Sequence, residues 1–259
     1  MAKLDFDDEL SRVVERFNAS PGATRRRAKI LEALAPEPGQ RVLDIGSGPG
    51  NQALEIASVV GPGGRVDGVD VADSAIDIAR RHGAESSNVT FHRARASKLP
   101  FEDATFDVAM SSQVFEYLDD VPGALAEASR VLKPGGRVLI HDTDWGTLVW
   151  RSTDPDRMAR VMNCWDGHLA DPHLPRSLGK QLADAGFRDV HAESLVQVEL
   201  CYDARSVSGI LMQFIVGYVV SQGIPESEAE AWAADLRALG AGGEYFFSLN
   251  EYLFVAERP

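Results

Sequence analysis

Cysteine is scarce in this chain: Cys164 and Cys201 are the only two among 259 residues. Two isolated cysteines provide neither a disulfide framework nor the paired spacing of a zinc site. His168, Asp171 and His173 form a loose group, but no further strong ligand stands at a recognisable spacing from them. The sequence therefore predicts no metal centre. We expect these three residues at the surface, with His168 or His173 as a candidate base.

Positive charge is also in short supply. The 26 lysines and arginines are outnumbered by 39 aspartates and glutamates, which gives a net charge of −13. A polyanion would meet a repulsive field, because phosphate binding needs clustered Lys and Arg. The one basic cluster, Arg25–Arg27, is typical of a solvated helix face. The composition disfavours DNA and transfer RNA as substrates and predicts no nucleic-acid partner.

Long apolar runs are absent as well. The longest one covers residues 209–220, is interrupted by Gln213, and is shorter than the roughly 20 residues that span a bilayer. Residues 1–8 are acidic and contain no apolar signal core. We therefore expect no membrane insertion and a cytoplasmic location.

The sequence does contain an alternation of short apolar strands and amphipathic helices from Arg41 onward. Glycine-rich turns at 61–64, 83 and 133–136 separate these segments. The alternation is typical of right-handed βαβ units and of a parallel sheet with both faces covered. The predicted strands are 41–45, 65–69, 89–93, 106–111 and 137–141, and the predicted helices are 51–60, 73–82 and 121–132.

The pattern changes after residue 142. A helix that opens at Pro155 and a second helix that ends near Ala185 precede two further strands, at 190–202 and 244–255. Together with the earlier segments, they predict an α/β fold with a doubly wound, mostly parallel, seven-stranded sheet and helices on both faces.

Three parts of the chain follow from these patterns. Residues 1–38 have helical periodicity and form an N-terminal cap, and residues 39–150 form a ligand-binding core. Residues 151–259 complete the sheet and carry a helical insertion at about 204–240, before the last strand, that is expected to act as a lid.

The segment Val42–Gly50, VLDIGSGPG, is the most informative stretch. A buried strand ends in a loop with three glycines and a helix begins immediately, so a ligand can approach the backbone N–H groups of the helix start. The spacing G-x-G-x-G departs from the dinucleotide fingerprint G-x-G-x-x-G, whose third glycine would fall at Asn51. Asp44 lies in the strand just before the loop, and a carboxylate there favours a cationic ligand over a pyrophosphate.

Four further segments accompany this loop in a fixed order: Gly68–Val71 (GVDV), Phe91–Phe101 (FHRARASKLPF), Phe106–Tyr117 (FDVAMSSQVFEY) and Leu132–Arg137 (LKPGGR). With the loop, they resemble the class I S-adenosylmethionine (SAM)-dependent methyltransferases, in particular the small-molecule branch that includes the menaquinone and ubiquinone C-methylases. The resemblance covers residues 20–142 well and the remainder loosely. It implies a Rossmann-like sheet, SAM as methyl donor and S-adenosylhomocysteine (SAH) as product.

The resemblance also implies a set of cofactor-binding residues. Asp70 matches the acid that accepts hydrogen bonds from both ribose hydroxyls. Arg95 stands where the family usually has an acid that binds the adenine amino group. Since arginine has no acceptor, it either stacks on the adenine or turns away while the backbone of Ala96 recognises the base. The whole predicted set is Asp44, Gly46, Ser47, Gly48, Gly50, Asp70, Val71, Arg95, Ala96, Ser111 and Gln113.

Methyl transfer from a sulfonium is an in-line displacement, for which the enzyme positions a nucleophile and excludes water. A hydroxyl or carbon nucleophile also needs a base. Ligands of such sheets lie at the carboxyl ends of the strands, which makes Tyr117, His141 and Asp144 the candidate catalytic residues. The apolar helix predicted at 206–220 indicates a hydrophobic small-molecule substrate of aromatic, quinone, polyketide-like or lipid-like character.

Other functions stay open at this stage. A protein with the same fold could be a cyclase or a SAM- or SAH-binding protein, and Arg95 is the residue that favours such a role. A nicotinamide-dependent oxidoreductase is disfavoured by Asp44 and Asn51. The sequence leaves open the identity of the acceptor, whether oxygen, nitrogen or carbon is methylated, and whether the chain forms a homodimer.

Overall fold

The computed structural model describes residue 18 and residues 20–259, and one seven-stranded sheet forms its centre. The strands are β1 (Arg41–Ile45), β2 (Arg65–Asp70), β3 (Val89–Arg93), β4 (Phe106–Ser112), β5 (Leu132–Trp150), β6 (Arg188–Glu199) and β7 (Phe247–Glu257). Their order across the sheet is β3-β2-β1-β4-β5-β7-β6. The helical cap predicted before residue 18 lies outside the described residues.

Helices cover both faces of this sheet. The α-helices are α1 (Pro21–Leu34), α2 (Asn51–Val60), α3 (Asp73–His82), α4 (Val121–Val131), α5 (Pro155–Trp165), α6 (Pro175–Asp184), α7 (Val207–Ser221) and α8 (Glu226–Ala241). Short 3-10 helices, Phe115–Tyr117 and Asp166–His168, follow β4 and α5. Along the described chain, no helix has the length and apolar character needed to cross a membrane.

The strand pairing follows from the chain order. Strands β1 to β5 pair in parallel, as the alternation of strands and helices predicts. β1 and β4 lie at the centre of the sheet and are almost wholly buried, as their apolar sequences require. β7 then enters antiparallel between β5 and β6. The prediction of a Rossmann-like, mostly parallel, seven-stranded sheet is confirmed.

Capping residues fix several helix starts. The side chains of Ser20, Asp120 and Asp154 accept backbone N–H groups at the starts of α1, α4 and α5. Each of these helices also has a proline within its first two positions, where no N–H is needed. Ser20 and Pro21 therefore mark the beginning of α1.

The prediction that Arg25–Arg27 form a solvated helix face is wrong for Arg26 and Arg27, whereas Arg25 is exposed. Nη1 of Arg26 lies 3.2 Å from Oε1 of Glu251 on β7, and the Arg26 side chain is only 11% exposed. Nε of Arg27 lies 2.8 Å from Oε1 of Glu55 on α2. The tertiary structure brings carboxylates from two distant segments against α1, and no local pattern shows this.

Three apolar clusters hold the fold together. One packs α4 and α6 on one sheet face, and another packs α1, α2 and α3 on the other. The third contains Trp145, Trp150, Trp165 and Trp232, which are all the tryptophans of the sequence, between the end of β5 and helices α5, α7 and α8. Helices α7 and α8 of the predicted insertion therefore pack against α5 and the end of β5.

Candidate functional site

A cavity of about 600 Å³ opens at the carboxyl ends of β1, β2 and β4. Two groups of side chains are central to its lining. The glycine-loop wall consists of Asp44, Gly46, Ser47, Gly48 and Asp70. The aromatic wall consists of Tyr117, Trp145, Trp165, His168, Leu211 and Phe214.

Three glycines shape the glycine-loop wall, and each has a positive φ: +76° at Gly46, +50° at Gly48 and +85° at Gly50. A Cβ atom on Gly46 would lie 2.2 Å from the Val114 side chain, and one on Gly50 would lie 2.7 Å from the Phe91 ring. A Cβ on Gly48 would meet nothing within 4 Å. Gly46 and Gly50 thus permit close packing, whereas Gly48 borders open space in which a ligand can approach the backbone.

Asp44 is the buried charge of this wall. Its Oδ2 has no hydrogen-bond partner among the described residues, and neither has Oγ of Ser47. Burial, reinforced by the negative charge of Asp70, raises the pKa of Asp44 to about 7. A cationic ligand would pair this carboxylate and relieve its isolation, so the site fits a positively charged group.

Asp70 at the end of β2 already holds the loop in shape. One carboxylate oxygen accepts the N–H of Gly48 and the other accepts the N–H of Ala72, each at 2.9 Å. Each oxygen keeps a lone pair for a further donor. The N-cap of α3 is Ala72, and Asp73 is the first helical residue and pairs with Arg93.

Val71, Arg95 and Ala96 also line the cavity, as the predicted adenine-side residues would. Val71 is 56% exposed and Arg95 is exposed, whereas Ala96 is buried. Ala75 and Ile78 from α3 add apolar surface beside them. This part of the wall suits a flat, largely apolar ring.

The structure does not bring Ser111 to the cavity. It is buried, and its hydroxyl donates to the carbonyl of Ile45 at 2.9 Å, which ties β4 to β1. The next residues, Ser112 and Gln113, do line the cavity. Gln113 has a φ of +58° and accepts the Thr143 hydroxyl at 3.0 Å, while its Nε2 is buried without a partner among the residues described.

His141 stands behind the cavity wall rather than in it. Its Nε2 lies 3.1 Å from Oε2 of Glu251, and its Nδ1 lies 3.0 Å from Oγ of Ser112. Burial lowers the pKa of His141, so the ring is neutral. Since the carboxylate of Glu251 is held ionised by Arg26, Nε2 carries the proton, Nδ1 accepts from Ser112, and the Ser112 oxygen is left as an acceptor toward the cavity.

Tyr117 is half-buried in the aromatic wall. Burial, followed by the charges of Glu116 and Asp142, raises its pKa well above the usual value for a phenol. An ionised tyrosine base is therefore disfavoured. Glu116 lies beneath this wall, where its Oε2 accepts the N–H of Thr143 and Nε1 of Trp145, each at 3.2 Å, and so fixes the Trp145 ring.

Asp144 lies outside the cavity lining, which argues against its predicted catalytic role. Its carboxylate accepts Nε of Arg176 at 2.8 Å, Nη2 of Arg176 at 3.0 Å and Nδ1 of His173 at 3.1 Å. Burial alone would raise the pKa of Asp144, but these hydrogen bonds hold it below its usual value. Both His173 and Asp144 are thus occupied in one ion cluster.

His168 is fully buried, so the expectation of a surface position is wrong. Its ring stacks on Trp165 with 3.6 Å between ring centroids and meets Trp145 edge-on at 5.1 Å. Trp145 and Trp165 are cavity residues that sequence reasoning missed, whereas Leu211 and Phe214 lie in the apolar helix from which it inferred a hydrophobic substrate. The aromatic character of the two tryptophans was the available signal, because large aromatic side chains concentrate in cores and binding sites.

The family model described as "Methyltransferase domain" matches residues 43–140. An uncharacterised 37.1 kDa protein in transposon Tn4556 of Streptomyces fradiae is 31% identical over 258 residues, covering 96% of this chain and 71% of that protein.

A demethylmenaquinone methyltransferase of Staphylococcus aureus is 32% identical over 122 residues, which cover 47% of this chain and 51% of that enzyme. The structure of a Haemonchus contortus phosphoethanolamine N-methyltransferase in complex with SAM superposes with a TM-score of 0.66 and 22% identity, covering 98% of this chain and 58% of that one. The matched segments thus span only about half the length of these enzymes, and the structural likeness concerns the fold.

Proposed function

Since this chain belongs to the class I SAM-dependent methyltransferases, a family whose cofactor is SAM, we propose that it transfers the methyl group of SAM to a small, largely apolar acceptor with an aromatic or quinone-like ring. The observation that carries this proposal is the cavity, in which a carboxylate-bearing glycine-loop wall and an aromatic wall line the same space. The first suits a cationic donor, and the second suits an apolar ring.

The glycine-loop wall would hold the donor. The Asp44 carboxylate, whose buried Oδ2 has no partner within the part of the chain described, would pair with its positive charge. The lone pairs that Asp70 keeps would accept the ribose hydroxyls, and the open space at Gly48 would admit the ligand to the backbone. Gly46 and Ser47 complete this part of the proposed site. Gly50, which was also predicted to bind the cofactor, does not line the cavity and instead permits close packing against Phe91.

The remaining predicted residues would surround the adenine and the amino acid part. Val71, Arg95 and Ala96 are proposed for the adenine, with Arg95 stacking from the exposed side. Gln113 and Ser112 are proposed for the amino acid part, and Ser112 takes the place predicted for Ser111. The Ser112 oxygen suits an ammonium group because the Ser112 hydroxyl donates its hydrogen bond to Nδ1 of His141, which leaves the oxygen as an acceptor.

Bound SAM supplies an electrophilic methyl group on a cationic sulfur. This chain would contribute the aromatic wall, which orients an apolar acceptor next to that methyl group and excludes water from the site. Trp145 is held rigidly by Glu116, so its ring needs no reordering when an acceptor binds. The net charge of −13 repels nucleic acids, and the quinone-type acceptor named for the Staphylococcus aureus relative supports a ring-bearing small molecule here.

Calorimetry with SAH, SAM and NADH tests this proposal. Wild-type protein is expected to bind SAH and SAM, and Asp70→Asn to bind SAH about 10- to 100-fold more weakly, because the loss of charge-assisted hydrogen bonds costs about 1.5–3 kcal/mol. Asp73→Asn is the matched control: this exposed aspartate at the start of α3, three residues after Asp70, pairs with the surface residue Arg93, and SAH affinity should not change.

Two other results would contradict this proposal. Binding of NADH without SAM would overturn the assignment. SAH binding without methyl transfer to any phenol, quinol or amine in a panel with isotope-labelled SAM would favour a cyclase or a SAH-binding protein instead.

A further inference from the structure

His168 presents one nitrogen that nothing in the described structure uses. It ends the 3-10 helix Asp166–His168, and its Nδ1 hydrogen-bonds the carbonyl of Trp165. A carbonyl only accepts, so Nδ1 carries the hydrogen and Nε2 carries a lone pair. Nε2 is buried and has no partner among the described residues. A buried acceptor without a hydrogen bond lowers the stability of the fold unless a ligand supplies a donor.

The surroundings of this nitrogen are aromatic. Besides Trp165 and Trp145, the rings of Tyr117 and Tyr218 meet His168 edge-on, with centroid distances of 6.1 Å and 5.9 Å. The indole N–H of Trp165 is also buried without a partner in the part of the chain described. Two stacked residues that line the cavity thus carry one buried acceptor and one buried donor without partners among the described residues.

We propose that Nε2 of His168 accepts the proton of a hydroxyl group on a planar aromatic methyl acceptor, and that this chain is therefore an O-methyltransferase. This inference rests on the proposed function. The indole N–H of Trp165 would bind a second oxygen on the same ring, so an acceptor with neighbouring oxygen substituents fits best.

The atoms of the reaction balance with no further reagent. The acceptor's O–H bond breaks and its proton moves to Nε2 of His168, while an oxygen lone pair forms the new bond to the methyl carbon. The electron pair of the broken carbon–sulfur bond stays on the sulfur of SAH. The imidazolium returns its proton to solvent when the products leave.

A base in the wall favours oxygen as the methylated atom, because a hydroxyl must lose its proton as it is methylated, whereas an amine attacks with a lone pair that it already has. Burial lowers the pKa of His168 to about 4, so the ring is neutral at physiological pH and its Nε2 can accept the hydroxyl hydrogen.

The test compares two fluorescent probes, 2-naphthol and 2-methoxynaphthalene, which share the ring and differ in the hydroxyl hydrogen. Both are titrated with and without SAH. We expect wild-type protein to bind 2-naphthol about tenfold more tightly than its ether, since only 2-naphthol donates to Nε2. His168→Phe keeps a stacked ring but removes the acceptor, and the preference should fall to about one.

Two further variants separate this role from folding. His168→Gln retains an acceptor oxygen and should keep part of the preference. His191→Phe makes the same exchange at an exposed histidine of β6 outside the cavity lining and should keep all of it. In nitrogen-15 NMR spectra, Nε2 of His168 should shift with 2-naphthol and not with the ether.

The inference and the proposed function fail separately. A wild-type protein that binds SAH but shows no preference for 2-naphthol, or a preference that survives His168→Phe, overturns the inference alone. A preference that depends on His168 in a protein that binds neither SAH nor SAM overturns the methyltransferase proposal. Methyl transfer to nitrogen or ring carbon in a panel of aromatic acceptors would also overturn the assignment to oxygen.

Discussion

His141 on β5 and Glu251 on β7 form a buried hydrogen bond, with 3.1 Å between Nε2 and Oε2. The other oxygen of Glu251 lies 3.2 Å from Nη1 of Arg26, so this carboxylate joins α1 to the sheet. Burial alone would raise the pKa of Glu251, but the positive charge of Arg26 and the hydrogen bond from His141 outweigh it and set the value at about 2. The same contact orients Ser112, because it decides which nitrogen of His141 accepts.

Glu251→Gln is therefore expected to lower the free energy of unfolding at pH 7 by about 3 kcal/mol. The pKa of this group is lowered on folding, so its contribution is present above about pH 4.5 and is lost as the pH falls through about 2. Urea unfolding at pH 7 and pH 3 should show that the variant loses less stability than wild type on acidification.

Glu55→Gln serves as the comparison for Glu251→Gln. Glu55 also pairs with an arginine of α1, but its side chain is 36% exposed, so we expect a loss below about 1 kcal/mol. Equal losses in the two variants would contradict the importance given to the buried contact.

Asp44→Asn should stabilise the ligand-free protein. Burial raises the pKa of Asp44 to about 7, so the folded state holds more protons than the unfolded chain between about pH 4 and 7, and stability falls as the pH rises through that range. Removing this cost should raise the free energy of unfolding at pH 8 by about 2–4 kcal/mol. SAH binding should weaken at least about tenfold, because the ammonium group loses its carboxylate.

Asp67→Asn provides a buried carboxylate that has partners. Asp67 is 2% exposed and contacts Arg41, Arg65 and His92, so its replacement should destabilise the protein by about 1–3 kcal/mol and leave SAH affinity unchanged. If Asp44→Asn destabilised the protein as Asp67→Asn does, Asp44 would not be an unpaired binding group. Calorimetry and urea unfolding at pH 8 measure both effects.

Gly48→Val should abolish SAH binding while the fold is retained. The new side chain would enter the space next to the loop, which is otherwise open to a ligand. Gly39→Val is the matched control, since Gly39 also has a positive φ and open space around its Cβ position but does not line the cavity. Both variants should lose similar stability in thermal unfolding, and only the first should lose SAH binding. Unchanged SAH affinity in Gly48→Val would remove the loop from the proposed site.

Asp144→Asn should leave SAH affinity and methyl transfer within about twofold of wild type, because Asp144 lies outside the cavity lining. Its loss should cost only about 1 kcal/mol of stability, since Arg176 is 56% exposed and water screens its charge. A large fall in the rate of methyl transfer, with SAH affinity intact, would restore Asp144 as a catalytic candidate. Steady-state kinetics with labelled SAM decide between these outcomes.

Much of the proposed cofactor side of the cavity was predictable from local sequence. The predicted helices 51–60 and 73–82 coincide with α2 and α3, because glycine turns and apolar periodicity mark their ends. Most residues of the predicted cofactor set line the cavity, since a loop that follows a strand lies at the carboxyl edge of a parallel sheet. Ser111 does not line the cavity. Its hydroxyl donates to the carbonyl of Ile45 on β1, and the side chain of the next residue, Ser112, lines the cavity instead.

The aromatic wall, which is the proposed acceptor side of the cavity, was harder to predict. Trp165 ends α5, and His168 ends the 3-10 helix that follows it. Trp145 comes from β5 and Leu211 from α7, and no local pattern relates these segments. Asp144 and His173 each looked available in the sequence, and only packing showed that Asp144 binds both His173 and Arg176. Partner choice depends on distances across the fold, which residue spacing does not encode.

The sequence by itself determined the order of strands and helices, the glycine loop and the acids beside it, because these depend on backbone conformation and on neighbours along the chain. The tertiary structure alone decided which polar groups are paired and which atoms have no partner in the described residues, as at Oδ2 of Asp44 and Nε2 of His168. Burial and hydrogen bonding set the protonation and reactivity of such groups, and both arise only when distant segments pack together.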